Sequence, residues 1–249
     1  MKINDFNAKK GWAIAKLNFK SLKLTIILLL IPFLGNAVSF FVQFIIEQAA
    51  SVKLVSENNT IMGSVILVEI TLIPIFLVSS NFYKTMRLNA KKKDYFIGAL
   101  IVLAITAMAV NIAHTLIFYA VENPINNALH GSSGDLNQKT LWSLLEVFGF
   151  KGNGDFIGFF QMFGFIFFTS VAIFIVTSIQ DYWLGWAVDI LIVAVISVFS
   201  SIAFFRNYFW RPFFWLLIFG HPAVQLLFTI VGGLLLYLTY LPILKRKKI

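Results

Sequence analysis

The residues of this chain that could carry chemistry are a few polar side chains inside long apolar segments. Glu69 lies about eight residues from the end of one such segment, His114 about seven from the end of another, and Asn111 precedes His114 by about one helical turn. If these segments are neighbouring helices, a contact between the Glu69 carboxylate and the His114 imidazole is geometrically allowed. Such a pair could move a proton or bind a polar substrate, or it could simply lock two helices together.

A second polar pair, Asn36 and Gln43, lies seven positions apart in the first apolar segment and therefore on one face of a helix. These two amides could line an interior seam of the molecule. The sequence thus yields one set of residues for a substrate path or for helix pairing: Asn36, Gln43, Glu69, Asn111 and His114.

Known catalytic patterns are not recognisable in the sequence. The three histidines, His114, His130 and His221, are far apart, and none belongs to an H-E-x-x-H pair. Cysteine is absent, and no G-x-x-x-x-G-K-[ST] motif offers a phosphate-binding loop. We therefore expect a chain that is not an enzyme and that has no metal site and no cofactor.

The elements that position these side chains are six long apolar segments. The chain is 59% hydrophobic and only 12% charged, whereas a soluble domain is about a quarter charged. A helix needs roughly 20 mostly apolar residues to cross a bilayer. The six segments that satisfy this length run from Leu24 to Ile46, Ile61 to Ser80, Phe96 to Val121, Phe156 to Ile179, Trp186 to Phe205 and Pro222 to Leu241.

This pattern predicts an all-α polytopic membrane protein with six transmembrane helices in a single domain, residues 1–249. Residues 24–241 form the bundle and residues 242–249 a basic tail. The Lys and Arg residues cluster beside the apolar segments, which indicates contact with anionic lipid and not with nucleic acid. Fifteen of the 20 cations fall on the side that carries both termini, so both termini are expected in the cytoplasm.

The first 23 residues predict an interfacial helix. Between Asp5 and Lys23, apolar residues such as Trp12, Ile14 and Leu17 alternate with lysines, which suits a helix lying in the plane of the lipid headgroups. The alternative is a loosely ordered basic tail.

The connection from Asn81 to Asp94 is short and strongly basic, and we expect it to contact a cytoplasmic partner. Aromatic and apolar residues alternate in it with cations at a spacing typical of a short helix lying on the membrane. The alternative is that its cations only determine the topology. The residues expected to contact the partner are Phe82, Tyr83, Lys84, Met86, Arg87 and Leu88.

The connection before the last apolar segment is also unusual. The apolar piece from Phe213 to Phe219 is too short to cross a bilayer, and Gly220-His221-Pro222 follows it. A re-entrant element on the outer side would accommodate this piece if protein covers its backbone. One long helix kinked at Pro222 is the competing interpretation.

Taken together, these features resemble the permease subunits of small bacterial exporters of the ABC-2 type (type V) ABC transporter family. In that resemblance, Trp12 to Lys23 matches the interfacial helix, Asn81 to Asp94 the coupling loop, and Arg206 to His221 the outer re-entrant element. The second cytoplasmic loop, Gln180 to Gly185, is shorter than the family pattern implies.

The resemblance implies a homodimer or a paired heterodimer of permeases, bound to cytoplasmic ATP-binding subunits in a bacterial cell membrane. It also implies export of an amphipathic or hydrophobic cargo, such as a peptide, an antimicrobial or a lipid-like molecule. Two other functions stay open. One is a permease for bacteriocin or antibiotic immunity or sensing, and the other is an intramembrane enzyme or scaffold that uses Glu69 and His114.

Overall fold

The computed structural model describes four main stretches of the chain, and their regular structure is helical throughout. The stretches are residues 9–23, 70–117, 154–180 and 211–246 without residue 220, with shorter pieces at 38, 42, 45–46, 119–120, 182, 185–191, 193–194, 204 and 207–208. The helical class predicted from the sequence is therefore confirmed for these residues.

Three helices are long and apolar enough to cross a membrane. They are α3, Lys92–Ile117, α4, Asp155–Ile179, and α6, Pro222–Arg246. Each has a 25-residue apolar segment, which extends about 37 Å at 1.5 Å per residue and exceeds a hydrocarbon core of about 30 Å. They match the third, fourth and sixth predicted spans. The first predicted span lies almost entirely outside the described residues, and about half of the fifth does.

Helix α2, residues 70–87, continues without a break through the end of the second predicted span. A π-turn at Leu77–Asn81, in which the Phe82 N–H donates to the Leu77 carbonyl, leads directly into the α-helical turn Phe82–Arg87. The short helix predicted in this connection is present at Phe82–Arg87 and is continuous with the π-turn before it, and its placement on the membrane stays a prediction. Helical backbone angles at Asn81 and Phe82 carry the helix on to Arg87.

A Schellman motif ends α2. Asn89 adopts a left-handed φ of 58°, its N–H donates to the Met86 carbonyl, and the Ala90 N–H reaches back to the Thr85 carbonyl. Asparagine is one of the few residues besides glycine that occupies this position readily. The turn between α2 and α3 is thus only a few residues long and has a defined conformation.

An aromatic cluster fills the core near this turn, where α3, α4 and α6 meet. Tyr95, Tyr237 and Tyr240 are buried there beside Phe96 and Phe174. Two tyrosine hydroxyls donate to backbone carbonyls on neighbouring helices: Tyr95 to Leu77 at 2.5 Å and Tyr237 to Phe96 at 2.6 Å. These bonds satisfy buried hydroxyls and fix the relative positions of α2, α3 and α6.

Helix α1, residues 9–23, packs across the beginning of α3 at a close approach of two glycines. A Cβ on Gly11 would lie 2.5 Å from Ile97 Cγ2, and one on Gly98 would lie 3.0 Å from the Gly11 carbonyl oxygen. The buried face of α1 is Gly11, Ile14, Ala15, Asn18 and Leu22, a helical stripe toward the bundle. The N-terminal helix predicted from the sequence is confirmed, and its placement in the headgroup plane stays a prediction.

Helix α5, residues 211–219, ends before α6 begins at Pro222. It comprises Arg211–Phe214 and the π-turn Trp215–Phe219. His221 has an extended ψ of 132°, and Pro222 opens α6 at a position where its missing N–H costs nothing. The Gln225 side chain donates to the Leu217 carbonyl at 2.6 Å. In one straight helix, residues eight apart would lie about 12 Å from each other along the axis, so the chain bends back at this point.

Candidate functional site

Burial divides the predicted coupling residues into two sets. Phe82 and Met86 are buried in the core, and Tyr83 is half-buried. Lys84, Arg87 and Leu88 are exposed, Leu88 by 65%. The sequence analysis placed both Phe82 and Met86 among the residues expected to contact a partner. This part needs correction, because both side chains pack inside their own chain.

The division follows from the helical repeat. Residues 82, 85 and 86 are spaced i, i+3 and i+4 and turn toward α1 and α3, whereas residues 84, 87 and 88 have the same spacing one-half turn away. Phe82 meets the Tyr95 ring edge-on at a centroid distance of 5.1 Å. We call the exposed side chains of Lys84, Arg87, Leu88 and Lys91 the basic turn surface.

The basic turn surface lies at the same end of the molecule as the end of α6. The Lys92 ammonium lies 3.5 Å from the Lys245 carbonyl, and the Tyr182 hydroxyl, just after α4, lies 3.4 Å from the Ile243 carbonyl. The exposed cations Lys245 and Arg246 therefore add to the positive charge of this end. Two of the segments that the cation count assigned to one side do meet. That this side is the cytoplasm stays a prediction.

The residues predicted to line a substrate path or to pair helices are only partly within the described structure. Asn36, Gln43 and Glu69 lie outside the described residues, so the proposed contact between Glu69 and His114 stays a prediction. Asn111 and His114 are both buried on α3. The Asn111 side chain donates to the Phe159 carbonyl of α4 at 2.9 Å, and this bond joins the two helices.

A buried polar cluster that the sequence analysis missed lies between α4, α5 and α6. The Gln161 amide donates to the Gln225 side-chain oxygen, and the Gln225 amide donates in turn to the Leu217 carbonyl. Both glutamines are almost completely buried. We call Gln161 and Gln225 the glutamine pair. The sequence did mark each glutamine as unusual, since each is an isolated amide in a long apolar segment. Nothing in one segment, however, identifies which residue of another segment the amide will contact.

Close helix packing surrounds the glutamine pair. Thr229, one turn after Gln225, donates its hydroxyl to the Gln225 carbonyl at 2.8 Å. It faces Gly164 of α4 so closely that a Cβ there would overlap the threonine hydroxyl. Asn111 binds the Phe159 carbonyl, two residues before Gln161, so its bond and the glutamine pair lie at a similar height along α4. We call Asn111, the glutamine pair and Thr229 the polar layer.

This polar layer consists of neutral amides and hydroxyls, which can donate and accept hydrogen bonds but do not titrate near neutral pH. Within the described part of the chain, no group of three His, Cys, Asp or Glu side chains is arranged to hold a metal ion. The layer is therefore suited to binding polar groups or to joining helices.

Comparisons of the chain with protein-family models, with curated proteins and with solved structures found no match. A functional assignment consequently rests on the residues and the geometry described above.

Proposed function

We propose that this chain is the permease subunit of an ATP-driven exporter of the ABC-2 (type V) kind in a bacterial cell membrane. The observation that supports this most is the rigid construction of the basic turn surface. A permease needs an exposed element that a cytoplasmic ATPase can bind. This element must also transmit the conformational change of the ATPase to the spanning helices. The exposed side chains and the buried packing beneath them at the end of α2 and the start of α3 would suit both tasks.

The stiffness comes from the residues beneath the surface. Thr85 and Met86 pack inward, the Tyr95 hydroxyl holds the π-turn of α2, and the Schellman motif leaves only a short turn before α3. A push on Leu88 or Arg87 would therefore move α2 and α3 together, because packed interiors transmit displacement instead of absorbing it.

The glutamine pair is the best candidate for a polar feature along the cargo path. In this proposal, buried amides offer hydrogen bonds to the polar groups of an amphipathic cargo while the surrounding phenylalanines contact its apolar part. Helix α5, which folds back onto α6, would form the outer re-entrant element and cover this region. Helix pairing is the competing role for these amides.

A copurification experiment tests the proposal. The chain is expressed with the ATPase encoded beside it, and Leu88→Ala with Lys91→Ala is compared with the wild type. We expect the double variant to lose ATPase copurification or cargo-stimulated hydrolysis, because interface energy concentrates in a few anchors. The control is Trp12→Ala with Lys16→Ala, which also removes one exposed apolar residue and one exposed lysine.

Equal effects of the two double variants, or no effect of either, would refute the coupling role. If no ATPase associates and the purified chain instead binds a bacteriocin directly, the immunity or sensing function is the correct one.

A further inference from the structure

Helix α1 packs closely at one end and poorly at the other. Near its beginning, a Cβ on Gly98 of α3 would lie 2.8 Å from Ile14 Cγ2 and 3.0 Å from the Gly11 carbonyl oxygen, so the two helices touch there. Toward its end, where Leu17 and Ser21 lie, a cavity of about 330 Å³ is left between α1 and the end of α2. The loosely packed part thus begins about two turns after Gly11, roughly 10 Å along the helix axis.

Two buried asparagines in this loosely packed part lack hydrogen bonds. Asn18 of α1 is 1% exposed, and Asn81 of α2 is 2% exposed. Neither polar atom of the Asn18 amide has a partner among the described residues, and the Asn81 nitrogen has none either. Buried amides are nearly always hydrogen-bonded, because losing water without a replacement is costly. The contact of this half of α1 with α2 therefore carries an energetic cost.

The cavity does not supply the missing hydrogen bonds. Its accessible wall is almost entirely apolar, and the unpaired amide atoms are closed off from it. The space instead removes packing contacts from the side chains around it, because atoms beside a void have no neighbours on one side. Residues 18–23 are thus held against α2 with unpaired amides and incomplete packing.

Leu22 and Ser21 hold this half of α1 in place. Leu22 is 2% exposed and belongs to the hydrophobic core. The Ser21 hydroxyl donates to the Asn81 side-chain oxygen at 2.7 Å, and the Lys84 ammonium lies 3.5 Å from the same hydroxyl. Ser21 itself is exposed, so water competes for its bond and the net stabilisation is small. Burial of Leu22 and the cost of the unpaired amides are of the same order and opposite in sign.

We propose that α1 is a lever with two positions, in which residues 9–14 stay docked on α3 and residues 18–23 either dock on α2 or release from it. Release lets water reach the amides of Asn18 and Asn81 but exposes Leu22, so neither position is strongly favoured. Residue 23 directly precedes the first predicted span, and Ser21 binds α2 beside the basic turn surface. The lever therefore sets whether that span is tied to the turn. It goes beyond the proposed function, since it needs no ATPase and no cargo.

Cysteine labelling of the full chain in lipid nanodiscs tests the two positions. The chain has no cysteine of its own, so Leu22→Cys and Ile14→Cys can be compared without background. Both replace a buried aliphatic residue of α1, 2% and 8% exposed. We expect a small polar thiol reagent to modify Leu22→Cys at least about tenfold faster, because local opening exposes residue 22 and leaves residue 14 docked.

Two substitutions should shift the lever in opposite directions. In the Leu22→Cys background, Asn18→Leu should slow labelling about tenfold, because it removes the unpaired amide that disfavours docking. Ser21→Ala should speed labelling about fivefold, because it removes the hydrogen bond to Asn81. The control is Asn111→Leu, which removes a buried amide that binds the Phe159 carbonyl away from α1. It should leave the labelling rate within about a factor of two.

Hydrogen exchange gives a second measurement that needs no introduced cysteine. A released segment as short as residues 18–23 does not stay helical by itself. Its amides should therefore exchange faster than those of residues 9–14, and Asn18→Leu alone should slow them toward the rate of residues 9–14. This measurement keeps the test decisive if Leu22→Cys itself loosens the helix.

The contrary outcomes are specific. Equal labelling at positions 14 and 22 would mean that α1 opens as one unit or only on global unfolding, and would overturn the proposal. Faster labelling and exchange in Asn18→Leu would show that a trapped water satisfies the amide in the docked position, and would overturn it as well. The same holds if neither Asn18→Leu nor Ser21→Ala changes the rates. Because the permease is studied alone, failure here leaves the copurification test of the proposed function unaffected.

Discussion

At the scale of single residues, the glutamine pair shows how neutral amides are accommodated in an apolar interior. Gln225 accepts from Gln161 and donates to the Leu217 carbonyl, so both ends of its amide are used. A polar group that is left without a partner in such surroundings destabilises the fold. The pair therefore joins α4, α5 and α6 and cannot be altered on one side alone without cost.

A double-mutant cycle tests this pairing. We expect Gln161→Leu and Gln225→Leu each to destabilise the protein, since each leaves a buried group unpaired, at about 1 to 3 kcal/mol. The double variant should lose less than the sum of the two, with a coupling of about 0.6 kcal/mol and at most roughly 1.7. Reversible unfolding in mixed detergent measures these values.

Thr177→Val is the control for the cycle, because the Thr177 hydroxyl donates within its own helix, to the Ile173 carbonyl. It should change stability little. Strict additivity of the glutamine variants would show that the contact carries no coupling. Loss of export at unchanged stability would instead identify the pair as part of the cargo path.

At the scale of helices, the close approach of α1 and α3 depends on the absence of two side chains. Gly98→Ala would place a Cβ 3.0 Å from the Gly11 carbonyl oxygen and 2.8 Å from Ile14 Cγ2. The carbonyl belongs to the backbone and cannot move without shifting α1. We expect a loss of about 1 to 3 kcal/mol, as for other overpacked interiors, and faster hydrogen exchange in α1.

The control for this substitution is Gly232→Ala in α6, where the added methyl group meets only Phe168 Cε2 at 3.7 Å. That is an ordinary contact, so stability should be nearly unchanged or slightly raised by the better helix propensity of alanine. Unchanged exchange in α1 of the Gly98→Ala variant would contradict the close docking of the two helices.

The helices also show which features were predictable from the sequence. Helices α3, α4 and α6 were predicted within a few residues, because length and hydropathy are properties of one segment. The continuity of α2 was not predicted, because the π-turn at Leu77–Asn81 has no local sequence signal and its contact with the Tyr95 hydroxyl joins two different segments. Met86 was assigned to the surface, since the core residues that bury it come from other segments and are invisible in a local pattern. The glutamine pair was missed for the same reason.

At the scale of the whole molecule, the cation count predicts that both ends of the chain are cytoplasmic. The chain contains no cysteine, so single cysteines can be introduced without a background. Lys91→Cys and Lys245→Cys should react with a membrane-impermeant thiol reagent only after lysis, because their segments lie at one end of the bundle. A cysteine at Ser132, which lies outside the described residues, should react in intact cells.

The two lysine positions also test the structure independently of the orientation. Whichever side of the membrane they face, the cysteines at positions 91 and 245 must react from the same side, since Lys92 contacts the Lys245 carbonyl. Labelling of one position from outside and of the other from inside would contradict the described packing. Labelling of both in intact cells would reverse the predicted topology and remove the basic turn surface from the cytoplasm.

Of the three long helices that the structure describes, α6 is the one that its own chain covers least. Only 22% of its apolar window is buried, against 44% in α3 and 50% in α4. Its exposed apolar residues, spaced four, three and four apart, resemble the seam of paired helices. They are Leu227, Val231, Leu234 and Leu238, with Leu235 beside them.

We therefore expect the second permease subunit to pack against this stripe. Lipid is as apolar as leucine, so the contact must come from close packing and not from the hydrophobic effect. A single cysteine at Leu235 should form a disulfide-linked dimer in membranes under mild oxidation. The control is a cysteine at Ile112 of α3, which is similarly exposed and apolar and should stay monomeric. Equal crosslinking at both positions would indicate random collision in the bilayer, and crosslinking at Ile112 alone would place the subunit contact on α3.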